Sequence, residues 1–355
     1  MSFVGQRCQD ALDMGQPLHH ASVMKSNKLG NTGFETTEFI YGAGSIKGIG
    51  MSAHTRDKGI SVEEALQRLS EAHALGIRVV DTADCYGAGV SERTVGEWVR
   101  EHSVDNVLIQ TKVGANNDDP PGVDLASDHV ERQLTQSIAR LGRVDLYMSH
   151  APDPTTPLQE VLETFAEAQS SGRIGAFGMC NVDAKLLEDI LTTADSADLP
   201  RPGWLQNYFS LLGRRDEQDV IPLATAEGIA YTAYSPLAGG ILSDRYLDGA
   251  PVPPDSRIGA AGDIYYKGLY SADNLAKVAQ LRDVARERDI SVAGLALAWL
   301  RAHPLITASI VSPSKASQWQ AVKEALDHSL DDESFDQIAE IFSDPAAGIA
   351  GRRDR

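Results

Sequence analysis

The stretch "SVEEALQRLSEAHALGIRVVDTADCYG", residues 61–87, contains one whole structural unit and an anomaly. Ser61 and Glu64 have capping-box spacing, in which each side chain satisfies a backbone N–H at a helix start. Leu66, Leu69, His73 and Leu75 then fall mainly on one helical face. Gly76 is the residue type on which helices commonly stop. The apolar run from Ile77 to Val80 reads as a buried strand, yet it ends on Asp81, and Tyr86 follows at once.

The same unit recurs along the chain. Strand candidates are "EFIYGAG", "IRVVD", "NVLIQTK", "VDLYMSH", "RIGAFGM", "WLQNYF", "IAYTAYS" and "TASIVS", with helical patterns between them. Thr156 with Gln159 has capping-box spacing, Pro157 suits a first helical position, and Gly172 and Gly228 stand where helices should stop. Strict alternation implies a parallel sheet, because each parallel pairing needs a crossover. About eight units is the number that closes a (β/α)8 TIM barrel; an open doubly wound sheet is the competing architecture. "KLGNTGFETTEF", residues 28–39, predicts a hairpin that closes one end. Residues 239–271 break the rhythm, and so long a connection is usually functional. The expected organisation is a disordered arm over 1–28, a single barrel domain over 29–330, and a C-terminal helix and tail over 331–355.

Bulk properties narrow the class. The chain has 355 residues and a formal net charge of −18, which argues against nucleic acid or an anionic membrane surface as partner. No apolar run reaches the roughly 18 residues needed to span a bilayer. Residues 1–28 lack the pattern of a secretory signal. The three cysteines, Cys8, Cys85 and Cys180, show no ligand spacing, which suits a reducing, cytoplasmic setting.

"NVLIQTK" ends on Lys112 and "VDLYMSH" on His150, so three consecutive strands end on Asp81, Lys112 and His150. In a barrel, functional groups gather at those strand ends. A tyrosine hydroxyl, with an ordinary pKa of about 10, is a poor acid that a nearby ammonium improves. Lys112 can supply that charge and Asp81 can hold it. Tyr86 then becomes an acid for an oxygen to which His150 gives a second hydrogen bond. No side chain delivers hydride to the adjoining carbon, so a nicotinamide cofactor is implied. The expected activity is reversible reduction of a small-molecule aldehyde or ketone to an alcohol.

The motifs "DTADCYGAGVSE", "TKVG", "RVDLYMSHAPD", "GMCN", "QNYFSLL", "AYSPLAGGILSDRY" and "IVSPSKASQ" occur in that order. Through them the chain resembles the aldo-keto reductases from about residue 26 to about residue 325. It is similar to the aflatoxin-aldehyde reductase and potassium-channel β-subunit-like branches. The resemblance implies a (β/α)8 barrel with a catalytic Asp81, Tyr86, Lys112 and His150. It also implies nicotinamide-amide contacts from Cys180, Asn181 and Gln206, with Tyr234 stacking on the ring. Cys180 stands where the family usually has Ser, a stronger donor than a thiol. Ser235, Leu237 and Gly239 would approach the pyrophosphate. "SPSK", Ser312 to Lys315 with Ser314 between them, lies between the last strand and a helix start, a natural phosphate site from exposed N–H groups. In the resemblance Lys315 and Gln318 belong to the segment that meets the adenosine 2′-phosphate, favouring NADP(H) with NAD(H) as the alternative. Ala321 and Val322 replace an acid and an Asn that the family often sets against adenine.

Other readings compete. "GIGMSA", residues 48–53, matches a dinucleotide fingerprint but is followed by "HTRDKG" and so reads as a loop. A strand-end lysine also serves Schiff-base aldolases, which need Lys112 neutral. A third reading is a cofactor-sensing regulatory subunit with slow turnover. Cys85 and Cys180 are candidate oxidation targets, and Tyr265, Tyr266 and Tyr270 are candidates for a lid.

Overall fold

The computed structural model describes residues 24–116 and 122–343. Eight parallel strands close a barrel in chain order: β1 (Phe39–Gly42), β2 (Val79–Asp81), β3 (Leu108–Val113), β4 (Leu146–Ser149), β5 (Ala176–Cys180), β6 (Trp204–Tyr208), β7 (Ala230–Tyr234) and β8 (Ala308–Val311). Each expected strand is present, differing only at its ends, and β8 pairs back onto β1. The open sheet is thereby excluded.

Helices cover the outside: α1 (Val62–Ala74), α2 (Val90–Glu101), α3 (Ser127–Leu141), α4 (Leu158–Ser170), α5 (Ala184–Ser196) and α6 (Val220–Ala226) follow β1 to β6. After β7 come α7 (Arg257–Tyr265), α8 (Ala272–Glu287) and α9 (Val292–Ala302); after β8 come α10 (Trp319–Asp327) and α11 (Asp332–Ile341). The Ser61–Glu64 capping box forms at α1. Gly76, Gly172 and Gly228, each two residues past a helix end, adopt the left-handed conformation expected of stops. The start of α4 differs from expectation. Pro157 is itself the cap, and Thr156 donates to Asp153 at 2.6 Å instead of capping. Asp153 outcompetes the helix start because its carboxylate accepts from Thr155 as well, holding the loop as a closed turn.

Side chains alternate across each strand, so every second residue points into the barrel. Leu29, Ile40, Val79, Leu146, Met148, Ala176, Trp204, Ala230, Ala308 and Ile310 fill the interior as one apolar cluster. A second, larger core lies between the strands and the helices. Leu29 enters the interior from the hairpin Ser26–Lys28 with Glu35–Thr37, which closes the end where the strands begin. That hairpin starts at Ser26, inside the segment expected to be an arm, because Ser26–Lys28 finds backbone partners in Glu35–Thr37. Residues 1–23 and 344–355, to which the rest of the arm and the tail were assigned, lie outside the described residues.

The "GIGMSA" segment is a loop, with a short turn at Ala53–Thr55 well before α1 begins. Residues 239–271 contain two short turns and α7. Among the described residues no helix is long and apolar enough to cross a membrane.

Candidate active site

Period-two alternation explains the anomaly at Asp81. Val79 faces the interior, so Asp81, two residues on, faces the same way at the opposite end. The same step carries β4 from Met148 to His150 and β6 from Trp204 to Gln206, while Lys112 follows Gln110 on β3. The barrel therefore has an apolar floor and a polar mouth.

Asp81 and Lys112 meet there with Nζ to Oδ1 at 2.6 Å, and their side chains are 5% and 1% exposed. Charges so deeply buried persist only when paired and hydrogen-bonded. Asp81 Oδ1 also accepts from Gln110 Nε2 at 2.6 Å and Gln206 Nε2 at 3.3 Å, and Lys112 Nζ donates to the Thr82 carbonyl at 2.9 Å. The ammonium lies 5.2 Å from the centroid of the Tyr86 ring. Tyr86 Oη is 3.4 Å from His150 Nε2, with the rings edge to face. The four residues expected to share a site are thus in one place.

Burial pushes the Tyr86 hydroxyl well above its ordinary value, and the Asp81 carboxylate pushes the same way. The lowering expected from Lys112 does not prevail. Its charge is matched by Asp81 at 2.6 Å, so the pair presents little net positive field to a phenolate that burial already penalises. Tyr86 is a retained phenol in this geometry.

Beside this group stand the residues expected to meet the nicotinamide. Asn181 Nδ2 donates to the His150 carbonyl at 2.9 Å, and Tyr234 Oη donates to Asn181 Oδ1 at 2.6 Å. Cys180 Sγ is 3.9 Å from Gln206 Oε1, a long thiol contact. Carboxamides beside a partly buried aromatic ring are a donor set that suits a flat ring bearing an amide.

The turn after β7 carries Ser235 and Gly239 in left-handed conformation, with Leu237 between them. A Cβ on Gly239 would lie 2.7 Å from the ring of Tyr266, so glycine is required there. Tyr266 Oη is 3.5 Å from Ser235 Oγ, and Tyr265 Oη accepts from the Ser52 N–H at 2.6 Å. Tyr270 instead packs edge-on against Tyr246.

After β8, Ser312 Oγ donates to the Gly42 carbonyl at 2.6 Å. Gln318 Oε1 accepts from the N–H groups of Ser314 and Lys315 at 2.7 and 3.1 Å, so a phosphate at those donors must take its place. Among the described residues, Lys315 Nζ makes a 3.9 Å surface pair with Asp255. Val322 is buried in the core, and Ala321 packs against it in part.

Two polar contributors were not singled out from sequence. Gln110, buried against Asp81, could have been found from its inward phase with Lys112. Asp84, between Asp81 and Tyr86, is buried with Oδ1 lacking a hydrogen-bond partner; burial, then Glu92, pushes its carboxyl up to about 8.

A model of the Aldo/keto reductase family matches residues 46–342. Among similar proteins is a putative voltage-gated potassium channel subunit beta of Schizosaccharomyces pombe, 31% identical, covering 82% of this chain and 84% of that one. An uncharacterized oxidoreductase of Bacillus subtilis, YrpG, is 28% identical over 91% of this chain and 97% of its own length. The versiconal hemiacetal acetate reductase of Aspergillus parasiticus is 27% identical, over 79% of this chain and 86% of that enzyme.

Proposed function

This chain belongs to the aldo/keto reductase family, whose chemistry is oxidoreduction, and we propose that it interconverts an aldehyde or ketone with its alcohol using NADP(H). The observation that carries this reading is the buried Asp81–Lys112 pair set behind Tyr86, with His150 Nε2 3.4 Å from the phenol oxygen. A carbonyl oxygen placed between Tyr86 and His150 receives a hydrogen bond from each. Because burial holds Tyr86 protonated, it has a proton to give in reduction. The phenolate left behind faces the Lys112 ammonium 5.2 Å from its ring centroid, a charge offset by Asp81, so it is short-lived and regains its proton readily. Asp81 keeps Lys112 charged, and Gln110 and Gln206 orient Asp81. In alcohol oxidation the same groups run in reverse.

The nicotinamide, when bound, supplies or accepts the hydride. Cys180, Asn181 and Gln206 would hold its carboxamide and Tyr234 its ring. Ser235, Leu237 and Gly239 would approach the pyrophosphate. The N–H groups of Ser314 and Lys315, beside Ser312, would hold a phosphate in place of Gln318 Oε1, and a 2′-phosphate met by the Lys315 ammonium favours NADP(H) over NAD(H). Neither Cys85 nor Cys180 forms a disulfide among the described residues, in keeping with a cytoplasmic setting.

The Schiff-base reading is weakened by the 2.6 Å contact with Asp81, which favours the charged lysine. The similarity to proteins named as potassium channel subunits beta supports a second reading, a cofactor-sensing regulatory subunit with a stable partner and slow turnover. Incubation of the purified chain with NADPH and an aromatic aldehyde separates these. Multiple turnovers of cofactor consumption, matched by alcohol formed, support the reductase. Tight cofactor binding without turnover supports the second reading, and borohydride capture of the aldehyde on Lys112 overturns both.

A further inference from the structure

We infer that Cys85 is a positioning residue for His150, its thiol donating to Nδ1 and so fixing the imidazole tautomer that carries its proton on Nε2, facing Tyr86. The inference rests on the proposed reading in which His150 donates to the substrate oxygen.

The geometry begins with the two sides of one ring. Nε2 of His150 is 3.4 Å from Tyr86 Oη, and Nδ1 is 3.5 Å from Cys85 Sγ. In a neutral imidazole one nitrogen is a donor and the other an acceptor, so the partner at Nδ1 decides the role of Nε2. If Nδ1 accepts, Nε2–H can donate to a carbonyl oxygen. If Nδ1 donates to sulfur, Nε2 turns a lone pair toward the same oxygen and repels it.

Three observations favour the first arrangement. A thiol is weak both as donor and as acceptor, but an imidazole lone pair is a far better acceptor than sulfur, so S–H to Nδ1 is the stronger of the two pairings. Cys85 lies in a small apolar cluster with Ala83 and Ala115, surroundings that favour a neutral thiol over a thiolate. Burial pushes this thiol well above its ordinary range, and Asp84 adds to that, so the sulfur retains a proton to donate. The backbone of His150 is held separately: its N–H donates to the Val113 carbonyl at 2.8 Å, and its carbonyl accepts from Asn181. Backbone anchoring fixes where the ring sits but does not choose a tautomer. The thiol does.

The test is nitrogen-15 NMR of the full-length protein labelled at histidine, with the His150 signals assigned by their loss in His150→Gln. The expected result is a pyrrole-type Nε2 and a pyridine-type Nδ1. Cys85→Val, of similar volume without a donor, should shift both signals toward the exchange average and lower kcat for carbonyl reduction about tenfold, with KM little changed. Cys85→Ser keeps a donor and should retain the Nε2–H signature and most of the turnover. A pyrrole-type Nδ1 in the unsubstituted protein overturns the inference, as does an unaltered Nε2–H signature in Cys85→Val. A chain that keeps the predicted signatures but reduces no carbonyl defeats the functional reading and leaves the tautomer assignment standing.

Discussion

Lys112 Nζ contacts Asp81 Oδ1 at 2.6 Å with both side chains almost wholly buried, and the ammonium also lies 5.2 Å from the centre of the Tyr86 ring. In the proposed mechanism one ion pair serves stability and chemistry together. Removing one member leaves an uncompensated buried charge, which costs about 3–5 kcal/mol, whereas replacing both can be nearly neutral. Asp81→Ala should therefore unfold at clearly lower urea concentration than the unsubstituted chain. The double variant Asp81→Ala, Lys112→Met should recover much of that loss without recovering turnover. Equal midpoints for the single and double variants would contradict a paired charge.

Asp84 gives a pH-dependent signature of its own. Its carboxyl rises from 3.8 to about 8 on folding, through burial first and Glu92 second. Between those values the folded state binds more protons than the unfolded state, so this group's contribution to stability declines as pH rises through the window. The slope approaches about 1.4 kcal/mol per pH unit for one group. Asp84→Asn, which cannot ionise, should be the more stable protein near pH ~8, and the difference should close toward pH ~4. Urea denaturation across that range checks it; a gap that widens on acidification reverses the sign and rejects the assignment.

Cys180 Sγ accepts from Asn181 Nδ2 at 3.2 Å, and its own contact with Gln206 Oε1 is long, at 3.9 Å. A hydroxyl is the stronger donor, so Cys180→Ser should tighten the amide clamp and lower the NADPH dissociation constant by about threefold to tenfold. Titration followed by tryptophan fluorescence measures this directly. Unchanged or weaker binding would remove Cys180 from the cofactor contacts.

Lys315 is exposed, and among the described residues its ammonium makes a 3.9 Å pair with Asp255, which leaves it open to a phosphate. Lys315→Ala should weaken NADPH binding about tenfold while changing NADH little, since only the 2′-phosphate contact is lost. Equal losses for both nucleotides would point to a structural effect.

The barrel was legible because each strand carries its own apolar run and each helix its own stop, as with Gly76, Gly172 and Gly228. The shared position of Asp81, Lys112 and His150 was legible for the same reason: strands of one parallel barrel end at one mouth. What escaped depended on contacts that spacing does not encode. Thr156 has the spacing of a cap, yet Asp153 captures its hydroxyl from outside the helix. Gln318 fills the N–H pair at Ser314 and Lys315, a reach visible only in three dimensions. The sign of the Tyr86 shift was misjudged because Asp81 was counted only as the partner that holds Lys112, whereas burial and the Asp81 charge itself raise the phenol.

The most direct test of the account is single-turnover carbonyl reduction by Tyr86→Phe preloaded with NADPH, alongside the NADPH titration of the same variant. Loss of the hydroxyl alone should slow the reaction by at least about a hundredfold, since general acid catalysis contributes on that order or more. NADPH should bind nearly as before. Reduction within a few-fold of the unsubstituted rate would contradict Tyr86 as the proton donor.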